Sequence, residues 1–528
     1  MPSPAARAAP GAATTGGNRD TLHSVIAKAM SCVVHGLSGV PVTVEVDVAN
    51  GLPSFTIVGL TDRSIQEARE RVRVAVRSAG FDFPARRITV NLAPAEVPKE
   101  GTGFDLAIAS ALLRHGDERL ALDGVGLIGE LALDGSVRGV VGVLPMARRL
   151  LEAGIRTLLV PSENAAEAAL VEGVSVFGVE RLSDAVAHLR GARRLAAAPP
   201  PPMGAVPQAP GTDLASVRGQ ALAKRALEIA AGGRHNVLML GPPGSGKTML
   251  ARALGGLLPD LSVDEALEVA AIYSLRGRLA DRPPTSLRPP FRAPHHSVSR
   301  AGLVGGGAGL AQPGEVSLAH RGVLLLDEVC EFPRAHLEAL RQPVEERRVV
   351  VTRVRGTVVF PAELILVAAA NPCPCGRLGQ AVGEGCRCPA EQVVRYQARL
   401  SGPMRDRIDI VVDVPRVEGA DLFGEREEES SGRVRERVAA ARARQRERAA
   451  RAGATANALV PGERLLEICG LDARGRDALT RAGERGRLSA RGYHRVLRVA
   501  RTISDLRGDE RVTREAVIEA LQLRGQAG

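Results

Sequence analysis

Eight consecutive residues, Gly241-Pro242-Pro243-Gly244-Ser245-Gly246-Lys247-Thr248, follow the apolar run Val237–Leu240 and precede Met249. The pattern G-x-x-x-x-G-K-[ST] between a strand and a helix is a phosphate-binding loop. Its glycines let backbone N–H groups curl around an anion, and the following helix turns its positive end toward that anion. Lys247 is then placed for the β- and γ-phosphates of ATP or GTP, and the Thr248 hydroxyl for a Mg²⁺ ion. A second apolar run, "GVLLLDEV" (322–329), ends on Asp327 and Glu328. Asp327 suits the Mg²⁺ shell and Glu328 suits polarising a water, which marks hydrolysis rather than binding alone. A third run, "AELILVAAAN" (362–371), ends on Asn371, a polar tip able to orient that water. Arg405 and Arg407 stand before a fourth run in "RLSGPMRDRIDIVVDVP" (399–415). An arginine there can reach a neighbouring subunit's nucleotide as an arginine finger, or simply pair on the surface.

Directly after Asn371 come Cys373, Cys375, Cys386 and Cys388, four of the seven cysteines. Two Cys-x-Cys pairs can bring four thiolates around one Zn²⁺, with Gly376, Gly379, Gly383 and Gly385 supplying turns. The alternative is a redox switch. Cys32, Cys330 and Cys469 read as isolated small apolar residues.

These residues need elements to hold them. A chain of 528 residues exceeds one core. "LAAAPPPPMGAVPQAPGTDL" (195–214) reads as a proline-rich spacer, and "EGADLFGEREEESSG" (418–432) as an acidic linker. The expected organisation is a disordered tail (1–20), an α/β domain (21–194), the spacer (195–213), a nucleotide-binding core (214–417), the linker, and a C-terminal helical domain (433–528). Residues 433–453 carry eight Arg against two Glu and should be helical. No run is long enough to cross a membrane, and the first twenty residues lack the apolar segment of a signal peptide. The expected compartment is cytoplasmic. A net charge of +11 is compatible with a nucleic-acid partner or with compositional bias toward arginine, since only Lys28, Lys99, Lys224 and Lys247 are lysines. With no Trp, three Tyr and nine Phe, base stacking is a minor resource and arginine contacts to a backbone a larger one.

The order of phosphate loop, Asp-Glu, strand-end Asn and loop Arg resembles the AAA+ ATPases. "FRAPHHSVSRAGLVGGG" (291–307), "PGEVSLAHRGVLLLDEV" (313–329), "ANPCPCG" (370–376) and "RLSGPMRDRID" (399–409) resemble, more narrowly, the Mg-chelatase-like AAA+ ATPases of the ComM/YifB type. The resemblance covers nearly the whole chain after residue 20. It implies a homo-hexameric ring, a hairpin between the phosphate loop and Asp327 facing a central pore, and DNA as the polymer moved, by helicase or branch-migration activity. It implies Arg407 as the arginine finger. Arg491, in "LSARGYHRVLRVARTISDL" (488–506), matches the sensor-2 arginine that contacts the γ-phosphate. A rival within the resemblance is a chelatase-like motor that remodels a protein and never touches DNA. His295 and His296 match a family His pair and are expected in polar loop packing rather than on a metal. Residues 88–113 and 128–168 are similar to the proteolytic domain of Lon, an α/β fold related to ribosomal S5. Where Lon-type proteases carry a Ser–Lys pair, this chain reads Gly103 and Leu144-Pro145, and Thr102 lacks a base. The resemblance therefore implies a module without peptidase chemistry.

Overall fold

The structure, a computed structural model, describes residues 26–59, 62–204, 211–307, 311–353, 356–379, 385–417, 428–484 and 488–524. The expected tail, the greater part of the acidic linker and Gly383 lie outside the described residues.

The chain opens with an antiparallel pair, β1 (Ala27–His35) and β2 (Ser38–Ala49). Val42, Val44, Val46 and Val48 alternate inward along β2, the period-2 signature of a strand with one buried face. Then follow β3 (Ser54–Val58), α1 (Arg63–Ser78), β4 (Arg87–Ala93), α2 (Asp105–Gly116) and β5 (Val125–Leu127). Asp62 starts α1 by accepting from Ile65 N at 3.0 Å. Ile65, Ala68, Val72, Ala75 and Val76 then fall on one buried face. A short hairpin, β6 (Glu130–Leu131) and β7 (Val137–Arg138), leads into α3 (Val143–Glu152), β8 (Thr157–Pro161), α4 (Ser162–Ala168), β9 (Ser175–Val179) and α5 (Leu182–Leu189). Seven strands form one mixed sheet in the order β3-β4-β2-β1-β5-β8-β9.

The proline-rich segment is not a free spacer over its described part. Ala198 N donates to Val176 O at 2.8 Å, and Gly204 N to Thr285 O at 2.8 Å. It lies along β9 and ties the first domain to the second.

The second unit is a doubly wound core. It runs through α6 (Ala221–Gly233), β10 (Val237–Leu240), α7 (Lys247–Leu257), α8 (Val263–Leu275), β11 (Phe291–Arg292) and α9 (Arg300–Val304). A small hairpin, β12 (Gly305–Gly306) and β13 (Gln312–Pro313), stands between α9 and α10 (Glu315–Leu318), within the region where a hairpin is implied. After β14 (Val323–Leu326) come α11 (Arg334–Ala339), α12 (Arg341–Glu346), a hairpin of β15 (Arg348–Arg353) and β16 (Gly356–Pro361), β17 (Ile365–Ala370), α13 (Ala390–Gln397), α14 (Gly402–Arg405) and β18 (Ile410–Asp413). The parallel sheet has the order β11-β14-β17-β10-β18. Its central strands, "VLML", "VLLL" and "ILVAAA", are apolar at nearly every position because helices cover both faces.

The helical unit is α15 (Ser431–Glu447), α16 (Ala473–Glu484), α17 (Ala490–Arg507) and α18 (Arg514–Gln522), with short turns between. It shares one apolar core with α6, α7 and the sheet. Several arginines of α15 are engaged in contacts within the chain, while Arg433, Arg444 and Arg446 stay exposed. Arg437 pairs with Glu228 at 2.6 Å and with Glu429 at 2.5 Å, Arg435 donates to Gly256 O at 2.8 Å, and Arg444 to Asp505 O at 2.5 Å.

Candidate active site

In the parallel sheet, Leu240 pairs with Ala370 and Leu326 with Ala368. The residues just past these strand ends, Gly241, Asp327 and Asn371, therefore emerge at one edge, the place where open α/β sheets bind ligands. Lys247 Nζ donates to Asn371 Oδ1 at 3.2 Å, and Thr248 Oγ1 donates to Asp327 Oδ2 at 2.7 Å. Asp327 Oδ1 accepts from Glu328 N at 3.0 Å. Glu328 sits at φ +50° with its side chain exposed, a left-handed turn that turns the chain sharply after β14.

The loop is shaped for an anion. Gly244 (φ +76°) and Gly246 (φ +88°) have open space where a Cβ would stand. Gly241 is required by close approach, since a Cβ there would lie 2.1 Å from Val414 O. No side chain caps the N-terminus of α7, and no acid stands in its first turn. The buried Ser245 hydroxyl has no partner. Lys247 Nζ donates instead to Gly241 O and Pro242 O, each at 2.8 Å. Burial lowers the proton affinity of that ammonium, while Asp327 and Glu328 oppose the shift. This donor set, with its cation and unfilled N–H groups, suits a triphosphate, and the Thr248–Asp327 oxygen pair suits a Mg²⁺ ion, a hard cation that takes oxygen ligands. Pro242 and Pro243 form the loop's outer wall, and Met249 is exposed beside it.

Arg407 and Arg491 are elsewhere, and they are together. Both line a cavity of about 320 Å³ whose walls include Glu345, Arg347, Arg495 and Arg498 and no residue of the phosphate loop. Arg407 donates to Pro403 O at 2.6 Å and pairs with Glu345. Its carbonyl accepts from Asn236 Nδ2 at 3.0 Å, which fixes the turn that carries it. Arg405 is not in a loop. It ends α14, is exposed, and donates to Gln397 O at 3.3 Å. Glu345, Arg347, Arg495 and Arg498 are absent from the sequence expectations. Arg495 and Arg498 follow Arg491 by four and seven residues on α17, so a helical-face count could have found them.

The four clustered cysteines converge. Their sulfurs all lie within 4.8 Å of one another, with Cys373–Cys375 at 3.3 Å, Cys373–Cys386 at 3.5 Å and Cys375–Cys386 at 3.6 Å. Cys32, Cys330 and Cys469 are buried, and burial pushes the Cys32 and Cys469 thiols up to about 12. His295 and His296 stack at 3.9 Å between ring centroids, and His295 Nδ1 meets Ser297 Oγ at 2.8 Å. In the first domain, Thr102 and Gly103 line a cavity of about 480 Å³ that reaches across to Gln312 of the hairpin. The Thr102 hydroxyl donates to Glu130. Leu144 is buried against Leu170 and Ala270, and the Lys99 ammonium is tied to the carbonyls of Pro94 and Val97.

Comparison with known proteins gives three matches to family models. Residues 213–422 match "Magnesium chelatase, subunit ChlI", residues 44–164 match "Subunit ChlI of Mg-chelatase", and residues 428–524 match "Magnesium chelatase, subunit ChlI C-terminal". The chain is 44% identical to the YifB protein of Salmonella typhimurium over 496 residues, 93% of this chain and 95% of that one. It is 43% identical to competence protein ComM of Haemophilus influenzae, also over 496 residues and the same shares. A shorter stretch, 128 residues or 23% of the chain, is 30% identical to 16% of the Lon protease of Chloroflexus aurantiacus.

Proposed function

The chain belongs to the magnesium-chelatase-like AAA+ ATPases of the YifB/ComM type, and we propose that it acts as a homo-hexameric ring that hydrolyses ATP to move DNA. The activity is that of a helicase or branch-migration motor in recombination or in uptake of transforming DNA. The observation that supports the ring is the division of the site. Lys247, Thr248, Asp327, Glu328 and Asn371 meet at one sheet edge, while Arg407 and Arg491 share a separate cavity. A nucleotide held on one copy's phosphate loop then receives both arginines from the next copy. A heterologous contact of that kind closes into a ring when the rotation between copies divides the full turn.

In this reading, Lys247 exchanges the carbonyls of Gly241 and Pro242 for phosphate oxygens. Thr248 and Asp327 would hold a Mg²⁺ ion, which would supply charge neutralisation at the phosphates. Glu328 accepts the proton of the water whose oxygen attacks the γ-phosphorus. The bond to the bridging oxygen breaks, its electron pair leaves with ADP, and inorganic phosphate is released. Asn371 orients the water, and Arg407 and Arg491 balance charge on the moving phosphoryl group. Support for DNA comes from the +11 net charge and from the competence protein among the relatives. Cys373, Cys375, Cys386 and Cys388 hold a structural Zn²⁺. The first domain performs no peptide hydrolysis, since Gly103 and the buried Leu144 replace the Ser–Lys pair.

The chelatase-like alternative, remodelling of a protein without DNA, is favoured by one observation: Arg437 of α15 is already paired with Glu228 and Glu429 of the same chain. ATP turnover of the purified protein separates the two, measured alone and with single-stranded, duplex and four-way-junction DNA, with Lys247→Ala as control. The DNA motor predicts stimulation that the variant abolishes. Robust turnover indifferent to every DNA contradicts it and points to a protein substrate.

A further inference from the structure

We propose that the four-cysteine knuckle is a zinc-dependent brace on the phosphate loop, so that metal occupancy sets nucleotide affinity. This rests on the reading of the four thiols as a zinc site. A tetrahedron with Zn–S bonds of about 2.3 Å places its sulfurs about 3.8 Å apart. The sulfurs here stand at 3.3–3.6 Å for three pairs and within 4.8 Å throughout, so one ion fits with little movement. Four thiolates select a soft or borderline divalent cation and leave no open position for chemistry. Each thiol gives its proton to solvent as the ion binds.

Two contacts carry the knuckle's position to the nucleotide site. The first runs along the chain. Only Pro372 separates Cys373, which is fully buried, from Asn371, and Asn371 holds Lys247 at 3.2 Å. Gln397 Nε2 on α13 fixes that step by donating to Pro372 O at 2.9 Å. The second runs through space. Gly376 N donates to Cys373 O at 2.9 Å, closing a turn with Gly376 at φ +74°. This turn backs directly onto the phosphate loop. A Cβ on Gly376 would lie 2.3 Å from Pro243 Cδ and 2.6 Å from Cγ. The knuckle therefore touches the loop at Pro243 and continues directly from the tip of β17 at the same time. An ion held by all four thiols would keep these two contacts in register, beyond what the Cys373–Gly376 turn and the Gln397 hydrogen bond supply.

The test combines metal content with binding of a fluorescent ATP analogue to the full chain in excess Mg²⁺. The wild type is expected to carry about one zinc per chain. Cys375→Ser/Cys388→Ser, which changes two thiols outside the buried core, should lose the zinc and bind the analogue about tenfold more weakly. Gly376→Ala should keep the zinc and show a similar loss, because it pushes on Pro243 while sparing all four ligands. Should the cysteine variant misfold, a zinc-selective chelator applied to the folded wild type gives the same reading, reversed by added Zn²⁺. Wild-type protein free of zinc overturns the metal site. Zinc present, with analogue affinity unchanged by chelation, overturns the brace and leaves the metal site standing, whatever Gly376→Ala does. Wild type that fails to bind the analogue overturns the ATPase reading itself.

Discussion

In the proposed mechanism, Glu328 is the residue on which hydrolysis turns. It follows Asp327 in a left-handed turn and is exposed, whereas Asp327 is occupied by Thr248. Replacing it with Gln removes the proton acceptor and preserves size and the loop's shape. Glu328→Gln should bind ATP with near wild-type affinity and lose at least about a hundredfold in kcat. Steady-state turnover with a parallel binding titration checks this, and an equal fall in affinity would assign Glu328 a binding role. Lys247, Thr248, Asp327 and Asn371 could be named from sequence because each sits at a fixed offset from a strand that the apolar runs reveal. Glu345 could not, since its pairing with Arg407 joins residues 62 apart in sequence. Pro243 and Gly376 meet only because β10 and β17 are neighbours in the sheet, which no local pattern states.

At the scale of elements, the apolar runs at 237–240, 323–326 and 365–370 became the central strands, as expected of parallel strands covered on both faces. The β15–β16 hairpin was not anticipated. Its alternation, Val349 and Val351 inward with Val350 outward, is the period-2 pattern of a strand with one buried face, over only three residues flanked by Arg348, Thr352 and Arg353. The arginine helix α15 is a helix, but ion pairs to Glu228 and Glu429 decide its role more than its composition does. One such pairing predicts a pH response. Glu268 on α8 meets His320 Nε2 at 3.4 Å and Arg321 Nη2 at 3.0 Å just before β14. The His320 hydrogen bond first, and then the Arg321 charge, hold its carboxyl down to about 2 against the effect of burial. An unfolded glutamate titrates near 4.3, so the stabilisation is complete above about that pH and fades as pH falls toward 2. Denaturation midpoints of wild type and Glu268→Gln should differ at pH 7 and draw together as the pH is lowered to about 2. A constant difference would assign the effect to packing alone.

For the whole molecule, the two domains are packed rather than tethered. Leu144 and Leu170 of the first domain close over Ala270 of α8, and Glu167 accepts from Ser274. The residue standing where a Lon-type lysine is expected has become part of this seam, which ties the first domain to the helix that follows the phosphate-loop helix. No described helix is long and apolar enough to cross a membrane. In the proposed ring, one nucleotide site needs two copies of the chain. Lys247→Ala and Arg407→Ala, each purified, should be close to inactive alone. Mixed and allowed to exchange subunits, they should regain turnover, because an intact phosphate loop from one variant then meets an intact Arg407 from the other. No recovery at any mixing ratio, with exchange verified by mass, would contradict a site shared between neighbouring subunits.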